Sequence, residues 1–153
     1  AEDLIKTYHH KAPFVKMLSE EVTRRAEDSG KIRTIGGRLC HFDLWESRTF
    51  GVNKPLPLDD ALREHGPGIK RAFTYKALNK LIQGSAADMT KKAMLALYEA
   101  GEIPHIQIHD ELDISVHSRE QAEKIINIME DAVQLEVPNK VDFEEGDSWG
   151  SII

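Results

Sequence analysis

The residues best suited to chemistry form one short segment, His109-Asp110-Glu111, with apolar residues alternating on both sides. We interpret Asp110-Glu111 as a hairpin tip, although two-residue hairpin turns favour asparagine and glycine and adjacent carboxylates repel each other. A sequence that breaks a local rule is more often functional than accidental. Carboxylate oxygens are the preferred ligands of Mg²⁺, and paired metal ions assist in-line phosphoryl transfer. The segment therefore predicts a metal site, with an ordinary acidic surface turn as the alternative.

The sequence on both sides of this segment predicts the elements that hold it. Period-two alternation predicts a β-hairpin over residues 104–117, and KVDFEE predicts a strand near 139–145. The predicted fold class is α+β, with a small antiparallel sheet covered by helices on one face. The open face of that sheet is predicted to carry Asp110, Glu111 and Asp113.

The remaining sequence predicts helices joined by a hairpin and a long loop. Ser118 and Gln121 form a capping box, which predicts the start of an amphipathic helix. We interpret residues 1–153 as a single domain. The predicted order begins with a helix over 1–29 that breaks at Pro13, a short hairpin over 31–42 and a long surface loop over 44–68. A helix over 69–100 with a break or bend at Gly84-Ser85 follows, and then a last helix that Pro138 ends.

The net charge of −6 conceals an uneven distribution of charge along the chain. Residues 1–62 hold ten basic and ten acidic side chains, residues 63–92 seven and two, and residues 93–153 three and fourteen. A basic segment followed by an acidic one suits a site that holds both a phosphate backbone and a divalent metal ion. Two solvated helix faces of opposite charge are the alternative explanation.

Cysteine content and hydropathy indicate the compartment. The single cysteine, Cys40, excludes an intramolecular disulfide and suits a reducing cytoplasm. No apolar run approaches 18 residues, so we expect no membrane segment. The first residues, AEDLIKTYHH, look like the cut end of a longer chain or an engineered boundary.

Four segments in the same order carry a resemblance to a known family. His109-Asp110-Glu111 between apolar strands resembles motif C of the family A (Pol I-like) DNA polymerases. NKLIQGSAAD over residues 79–88 resembles the N-x-x-x-Q-G-[ST]-A-A-D helix of that family. TIGGR over 34–38 is similar to T-x-x-G-R, and residues 137–149 resemble the closing strand. The resemblance implies that residues 1–153 are a C-terminal fragment of the polymerase palm with a little of the fingers.

The resemblance also implies roles for individual residues. Asp110 and Glu111 would be catalytic carboxylates that bind one side of a pair of Mg²⁺ ions, with His109 near the primer terminus. Asn79 and Gln83 would meet the duplex, where a side-chain amide can donate to the minor-groove acceptors of every base pair. The predicted partners are primer–template DNA, deoxynucleoside triphosphates and the upstream polypeptide (fingers, thumb and the rest of the palm). Further DNA contacts are expected from Arg38, Lys70, Arg71 and Lys76.

The sequence departs from the family pattern at several places. Leu39 stands where many relatives have a second arginine, and Tyr75 stands where relatives often have one. The loop at 44–68 is longer than in compact bacterial members, which indicates a phage-type or other divergent enzyme. The patterns D-x-S-x-x-E-x-R and R-x-x-x-K-x-x-x-x-x-x-Y-G are absent from the sequence. We therefore expect the 153 residues alone to be inactive and to bind Mg²⁺ weakly.

Two other functions stay open on the sequence alone. A polymerase-derived DNA-binding module without catalysis would keep the helix over 79–88 but would not need both Asp110 and Glu111. A His-Asp metal phosphohydrolase would carry the doublet on a helix, with further histidine ligands on other helices. Both are alternatives to DNA-templated nucleotidyl transfer.

Overall fold

The structure, a computed structural model, describes residues 2–52 and 54–151. Within those ranges it has five α-helices and six three-residue strands, which confirms the predicted α+β class. The helices are α1 Glu2–Lys11, α2 Pro13–Ser29, α3 Leu58–His65, α4 Ala77–Glu99 and α5 Arg119–Asp131. The strands are β1 Lys31–Arg33, β2 Leu39–His41, β3 Trp45–Ser47, β4 Ile69–Arg71, β5 Ile106–Ile108 and β6 Glu111–Asp113.

The strands pair as three separate antiparallel ladders rather than one small sheet: β1 with β2, β3 with β4, and β5 with β6. The chain divides into two compact units, one ending at Ser85 and one beginning at Ala86. The division falls within α4. None of the described helices is long and apolar enough to cross a membrane.

The first unit is built around α2 and the β1–β2 hairpin. The predicted helix with a break at Pro13 is confirmed as α1 and α2, and the predicted hairpin over 31–42 is confirmed as β1–β2. Pro13 begins α2, where its missing N–H costs nothing. The core of the unit consists of Val22, Ala26, Ile32, Phe42 and Ala77.

Residues 44–68 are not the continuous loop that the sequence predicts. They contain β3 and α3, and β3 pairs with β4 across this segment. The helix α3 has aspartates in its first turn and Arg63 and His65 in its last, which suits the helix dipole. It buries Ala61 completely. The eight residues of α3 and the three residues of each strand are too few to show a clear hydrophobic periodicity in the sequence.

The helix predicted over 69–100 begins later than expected and is not broken at Gly84. Residues 69–71 form β4, a short 3₁₀ turn covers Thr74–Lys76, and α4 then runs unbroken through Gly84. Glycine costs about 1 kcal/mol in a helix interior relative to alanine. The long run of good helix formers around Gly84 and its tertiary packing outweigh that cost.

The second unit holds β5, β6 and α5. The predicted hairpin is confirmed, but only residues 106–113 form it. The capping box is also confirmed, because Ser118 Oγ accepts from Gln121 N at 3.2 Å. In return Gln121 Oε1 accepts from the backbone N–H of His117 at 2.8 Å. The helix α5 ends at Asp131, well before Pro138, so the predicted role of this proline is wrong.

The strand predicted at 139–145 is wrong, because these residues have no regular secondary structure. Val141 and Phe143 are half-buried while their neighbours are exposed, which is the alternation that suggested a strand. The backbone N–H of Val141 donates instead to Glu130 Oε1 at 3.1 Å, and Lys140 Nζ donates to Glu130 Oε2 at 2.8 Å. Side-chain contacts with α5 therefore replace a strand ladder here.

Candidate functional site

The hairpin tip consists of His109 and Asp110, one residue earlier than predicted. Ile108 pairs with Glu111, so Glu111 is the first residue of β6 rather than part of the turn. His109 has a φ of 54°, whereas Asp110 does not have a positive φ. A positive φ at only the first central residue is the pattern of a type II′ turn, which normally has glycine there. For a residue other than glycine, the left-handed backbone conformation raises the free energy by about 1–2 kcal/mol.

The strained turn is stabilised by one contact from the neighbouring strand. Gln107 Nε2 donates to the carbonyl oxygen of His109 at 2.8 Å. His109 and Asp110 are both exposed. A non-glycine residue keeps a positive φ only where the surrounding structure holds its backbone in place, and such residues cluster at functional sites. The tip therefore holds two side chains capable of chemistry in a fixed, accessible turn.

The strand register places Glu111 and Asp113 on one face of the hairpin. Directly opposed residues of an antiparallel pair lie on the same side, so these two carboxylates share their face with Ile106 and Ile108. Glu111 is exposed and Asp113 is half-buried. Asp113 Oδ2 is buried and accepts no hydrogen bond from the described residues. The predicted face with Glu111 and Asp113 is thus formed, but it also carries the two isoleucines.

The donor chemistry of this hairpin fits part of a magnesium site. Asp110 and Glu111 offer adjacent, accessible carboxylates, whereas the Oδ2 atom of Asp113 is buried. Across residues 2–52 and 54–151, no group of three His, Cys, Asp or Glu side chains is arranged to hold a metal ion. The hairpin can therefore supply one side of a coordination shell that other ligands complete.

The side chains of Asn79 and Gln83 lie on the exposed surface of α4. They are four residues apart and so share one face of the helix. Neither side chain makes a hydrogen bond within the described part of the chain, which leaves both amides available to a ligand.

Two lysines near the start of α4 lie close to aromatic rings. Lys76 Nζ lies 4.7 Å from the ring centroid of Phe73, and Lys80 Nζ lies 4.6 Å from that of Phe42. Lys76 was predicted from the sequence and Lys80 was not. The signal for Lys80 is its spacing of four residues from Lys76.

Arg38 lies where the β1–β2 hairpin meets α4. Its Nη2 donates to the carbonyl oxygen of Gly84 at 2.8 Å, and the backbone N–H of Ile35 donates to Ser85 Oγ at 3.1 Å. A Cβ atom on Gly84 would lie 2.8 Å from Thr34 Cγ2. The segments TIGGR and QGS thus meet in a close contact that requires glycine.

Arg71 and Lys70 have partners within the protein. Arg71 donates from Nε to Glu27 O and from Nη1 to Phe42 O, each at 3.0 Å, and its guanidinium lies 4.5 Å from the Trp45 ring centroid. Lys70 Nζ lies 3.4 Å from Glu46 Oε1. The structure therefore gives Arg71 a role in joining α2 to the strands, and the DNA contacts predicted for both residues stay predictions.

A sequence model of the family described as DNA polymerase family A matches residues 1–151. This chain belongs to the family A DNA polymerases. The resemblance seen in the four motifs is thereby confirmed. A His-Asp phosphohydrolase finds no support, since His109-Asp110 of this family A chain occupies a β-turn rather than a helix.

Relatives of this family A chain come from phages and bacteria. It is 40% identical over 147 residues to a DNA-directed DNA polymerase of Pseudomonas phage M6. That alignment covers 96% of this chain and 19% of the phage enzyme. It is 31% identical over 159 residues to DNA polymerase I of Lactococcus lactis, and that alignment covers 97% of this chain and 16% of the bacterial enzyme.

A solved structure matches the fold of this family A chain. The POL domain of Pol1 from M. smegmatis, in complex with DNA primer-template and dNTP, aligns with a TM-score of 0.71 and 27% identity. The alignment covers 99% of this chain and 25% of that chain. This chain thus spans a quarter or less of each of these proteins.

Proposed function

We propose that this chain supplies one part of the active site and of the duplex-binding surface of a DNA-directed DNA polymerase. The observation that carries the proposal is the strained turn at His109-Asp110, which presents the adjacent carboxylates of Asp110 and Glu111 in a family A chain. The remainder of the site belongs to the polymerase polypeptide that relatives carry beyond the matched quarter.

Asp110 and Glu111 act as ligands at the site of nucleotidyl transfer. Bound Mg²⁺ would stabilise the attacking and leaving oxygens of the phosphoryl group. Asp110, in the turn, presents its carboxylate to solvent, and Glu111 is fixed beside it by the pairing with Ile108. His109, also exposed, is held by Gln107 and would lie near the primer terminus. The strained backbone fixes the direction of these side chains before substrate binds.

The surface of α4 binds the primer–template. Asn79 and Gln83 donate to purine N3 or pyrimidine O2, acceptors that all four base-pair orientations present in the minor groove. Lys76 and Lys80 are available for phosphate oxygens, and the +5 balance of residues 63–92 supports contact with a polyanion. Such contacts accept every sequence, as a template-copying enzyme requires.

The experiment uses a complete polymerase in which this chain replaces the matched segment of the Pseudomonas phage M6 enzyme. The unmodified chimera should extend a primer. Asp110→Asn should slow nucleotide addition about a hundredfold or more, because one charged group that stabilises the transition state has about that effect. Primer–template affinity should stay unchanged.

The matched control is Asp131→Asn, which removes another exposed carboxylate outside the hairpin. It should leave extension unchanged. An Asp110→Asn chimera as active as the control would refute the catalytic assignment, as would an unmodified chimera that extends no primer. The 153-residue chain alone should extend no primer, and extension that depends on Asp110 would contradict its being only part of the site.

A further inference from the structure

A groove between α5 and the last turns of α4, the α4–α5 groove, lies within the second unit. Its floor is apolar and consists of three half-buried residues, Ala96 on α4, Ile128 on α5 and Ala132 just after it. The α5 positions that line the groove recur every three or four residues from Glu120 to Ala132, which corresponds to about 18 Å along the helix axis. The groove therefore follows one face of α5 for about three turns. Its volume is about 730 Å³.

The groove adjoins the face of α5 that packs into the protein. Ala122 and Ile125 are buried on that face, whereas Ile128 is accessible from the groove. On α4, Leu95 is 57% exposed and lies four residues before Glu99, which lines the groove. Residues four apart share a helix face, so Leu95 extends the apolar surface beside the groove. Both helices thus offer apolar surface to a partner.

The border of the groove is acidic. Four carboxylates line it: Glu99, Glu120, Glu123 and Asp131. Glu123 Oε1 lies 3.4 Å from Arg119 Nε, and Lys124 Nζ lies 3.0 Å from Glu102 Oε1. The other three carboxylates form no ion pair with any residue in 2–52 or 54–151. Solvated acidic helix faces are ordinary, but these carboxylates surround an apolar floor that a partner would cover.

The shape and the charge of the groove select the same kind of partner. An amphipathic helix lays its apolar face into such a groove, with anchors at positions i, i+4 and i+7. Glu120 and Asp131 are 11 residues apart, which is about 16 Å along the axis. Basic side chains about three turns apart on the partner helix would therefore meet both carboxylates. Nucleic acid does not fit, because the carboxylates would repel its phosphates.

We propose that the α4–α5 groove docks a basic amphipathic helix of another protein. Apolar anchors of the partner cover the floor, and its lysine or arginine side chains pair with Glu99, Glu120 and Asp131. None of the described lining residues belongs to the β5–β6 hairpin. The partner therefore binds the polymerase without occupying the site proposed for nucleotidyl transfer.

The test measures the fluorescence anisotropy of a labelled synthetic peptide with the chimeric polymerase and, separately, with the 153-residue chain. The probe is a helix of about 15 residues with leucines on one face and lysines on both sides of that face. One control peptide has glutamates in place of the lysines, and another has the composition of the probe in scrambled order. The probe should bind both proteins with equal affinity and about tenfold more tightly than either control peptide, and added salt should weaken its binding.

Matched variants separate the groove from the general negative charge of this region. The groove variant carries Glu99→Gln, Glu120→Gln and Asp131→Asn, and the control variant carries Asp142→Asn, Glu144→Gln and Asp147→Asn, which change three exposed carboxylates outside the groove. The groove variant should bind the probe about tenfold more weakly, because it lacks the three ion pairs with the partner. The control variant should bind the probe as the unmodified chain does.

Equal losses of affinity in the two variants would overturn the inference, because the attraction would then depend only on net charge. A scrambled peptide that binds as tightly as the probe would overturn it as well. Binding of the probe to the 153-residue chain but not to the chimera would mean that the rest of the polymerase covers the groove. That result would also overturn the docking of another protein.

Discussion

Replacing Gly84 by alanine tests the contact between the β1–β2 hairpin and α4. At an ordinary helix interior position this change stabilises a protein by about 0.8–1.0 kcal/mol. At Gly84 the new Cβ would lie 2.8 Å from Thr34 Cγ2, 3.6 Å from Arg38 Nη2 and 3.9 Å from Cys40 Sγ. Carbon atoms in good contact are about 3.5–4.0 Å apart, so Thr34 or the helix has to move.

Thr34 has little freedom to move away. It is buried, with 4% of its surface exposed, and its Oγ1 accepts from Arg38 N at 3.1 Å. Overpacking of this kind costs about 1–3 kcal/mol, which exceeds the gain in helix propensity. We therefore expect Gly84→Ala to lower the free energy of unfolding by about 1–2 kcal/mol, measured by urea denaturation of the 153-residue chain.

A second substitution separates this contact from other effects of alanine. Thr34→Ser deletes only Cγ2 and keeps the hydroxyl that Arg38 uses. The double variant should therefore recover most of the stability lost by Gly84→Ala, with a coupling energy of about 1 kcal/mol. A stabilising Gly84→Ala, or a double variant in which the two effects simply add, would refute the reasoning.

Three further predictions follow from other contacts. Arg71→Lys should lower the free energy of unfolding by about 1–3 kcal/mol, measured by urea denaturation, because a lysine cannot donate to both carbonyls while stacking on the Trp45 ring. Gln83→Ala in the complete polymerase should slow extension of matched primers about two- to tenfold and reduce discrimination against mismatches, which single-turnover extension measures. The hydrogen bond from Gln121 and the charge of Lys124 lower the pKa of Glu102 from its usual 4.5. The ionised Glu102 should therefore stabilise the fold above pH 4.5, and this contribution should be lost as the pH falls through the lowered pKa. Urea denaturation of Glu102→Gln at several pH values should lack this part of the pH dependence.

The elements with local signals were predictable from the sequence. Pro13 marked the start of α2, and Ser118 with Gln121 marked the start of α5. The strands β3 and β4 were missed because each has three residues and the partner is more than twenty residues away. The helix does not break at Gly84, because this glycine serves a contact with another segment, which no local pattern reveals.

The candidate site was predictable in composition but not in register. The residue types of His109-Asp110-Glu111 identified the segment, yet alternation on both sides did not specify which residues pair. A shift of one residue changes the turn and moves Glu111 into β6. The spacing of Asn79 and Gln83 is visible in the sequence, but their exposure, which distinguishes them from core residues, follows only from packing.

The most direct test of the central claim, that Asp110 is a metal ligand in nucleotidyl transfer, is metal rescue of Asp110→Cys in the chimeric polymerase. A thiolate is a soft ligand that suits Zn²⁺ or Cd²⁺ better than the hard Mg²⁺ ion. We expect primer extension to be lost in Mg²⁺ and regained when the thiophilic metal is added, with no such pattern for Asp131→Cys. Full activity of Asp110→Cys in Mg²⁺, or no rescue by a thiophilic metal, would contradict the claim.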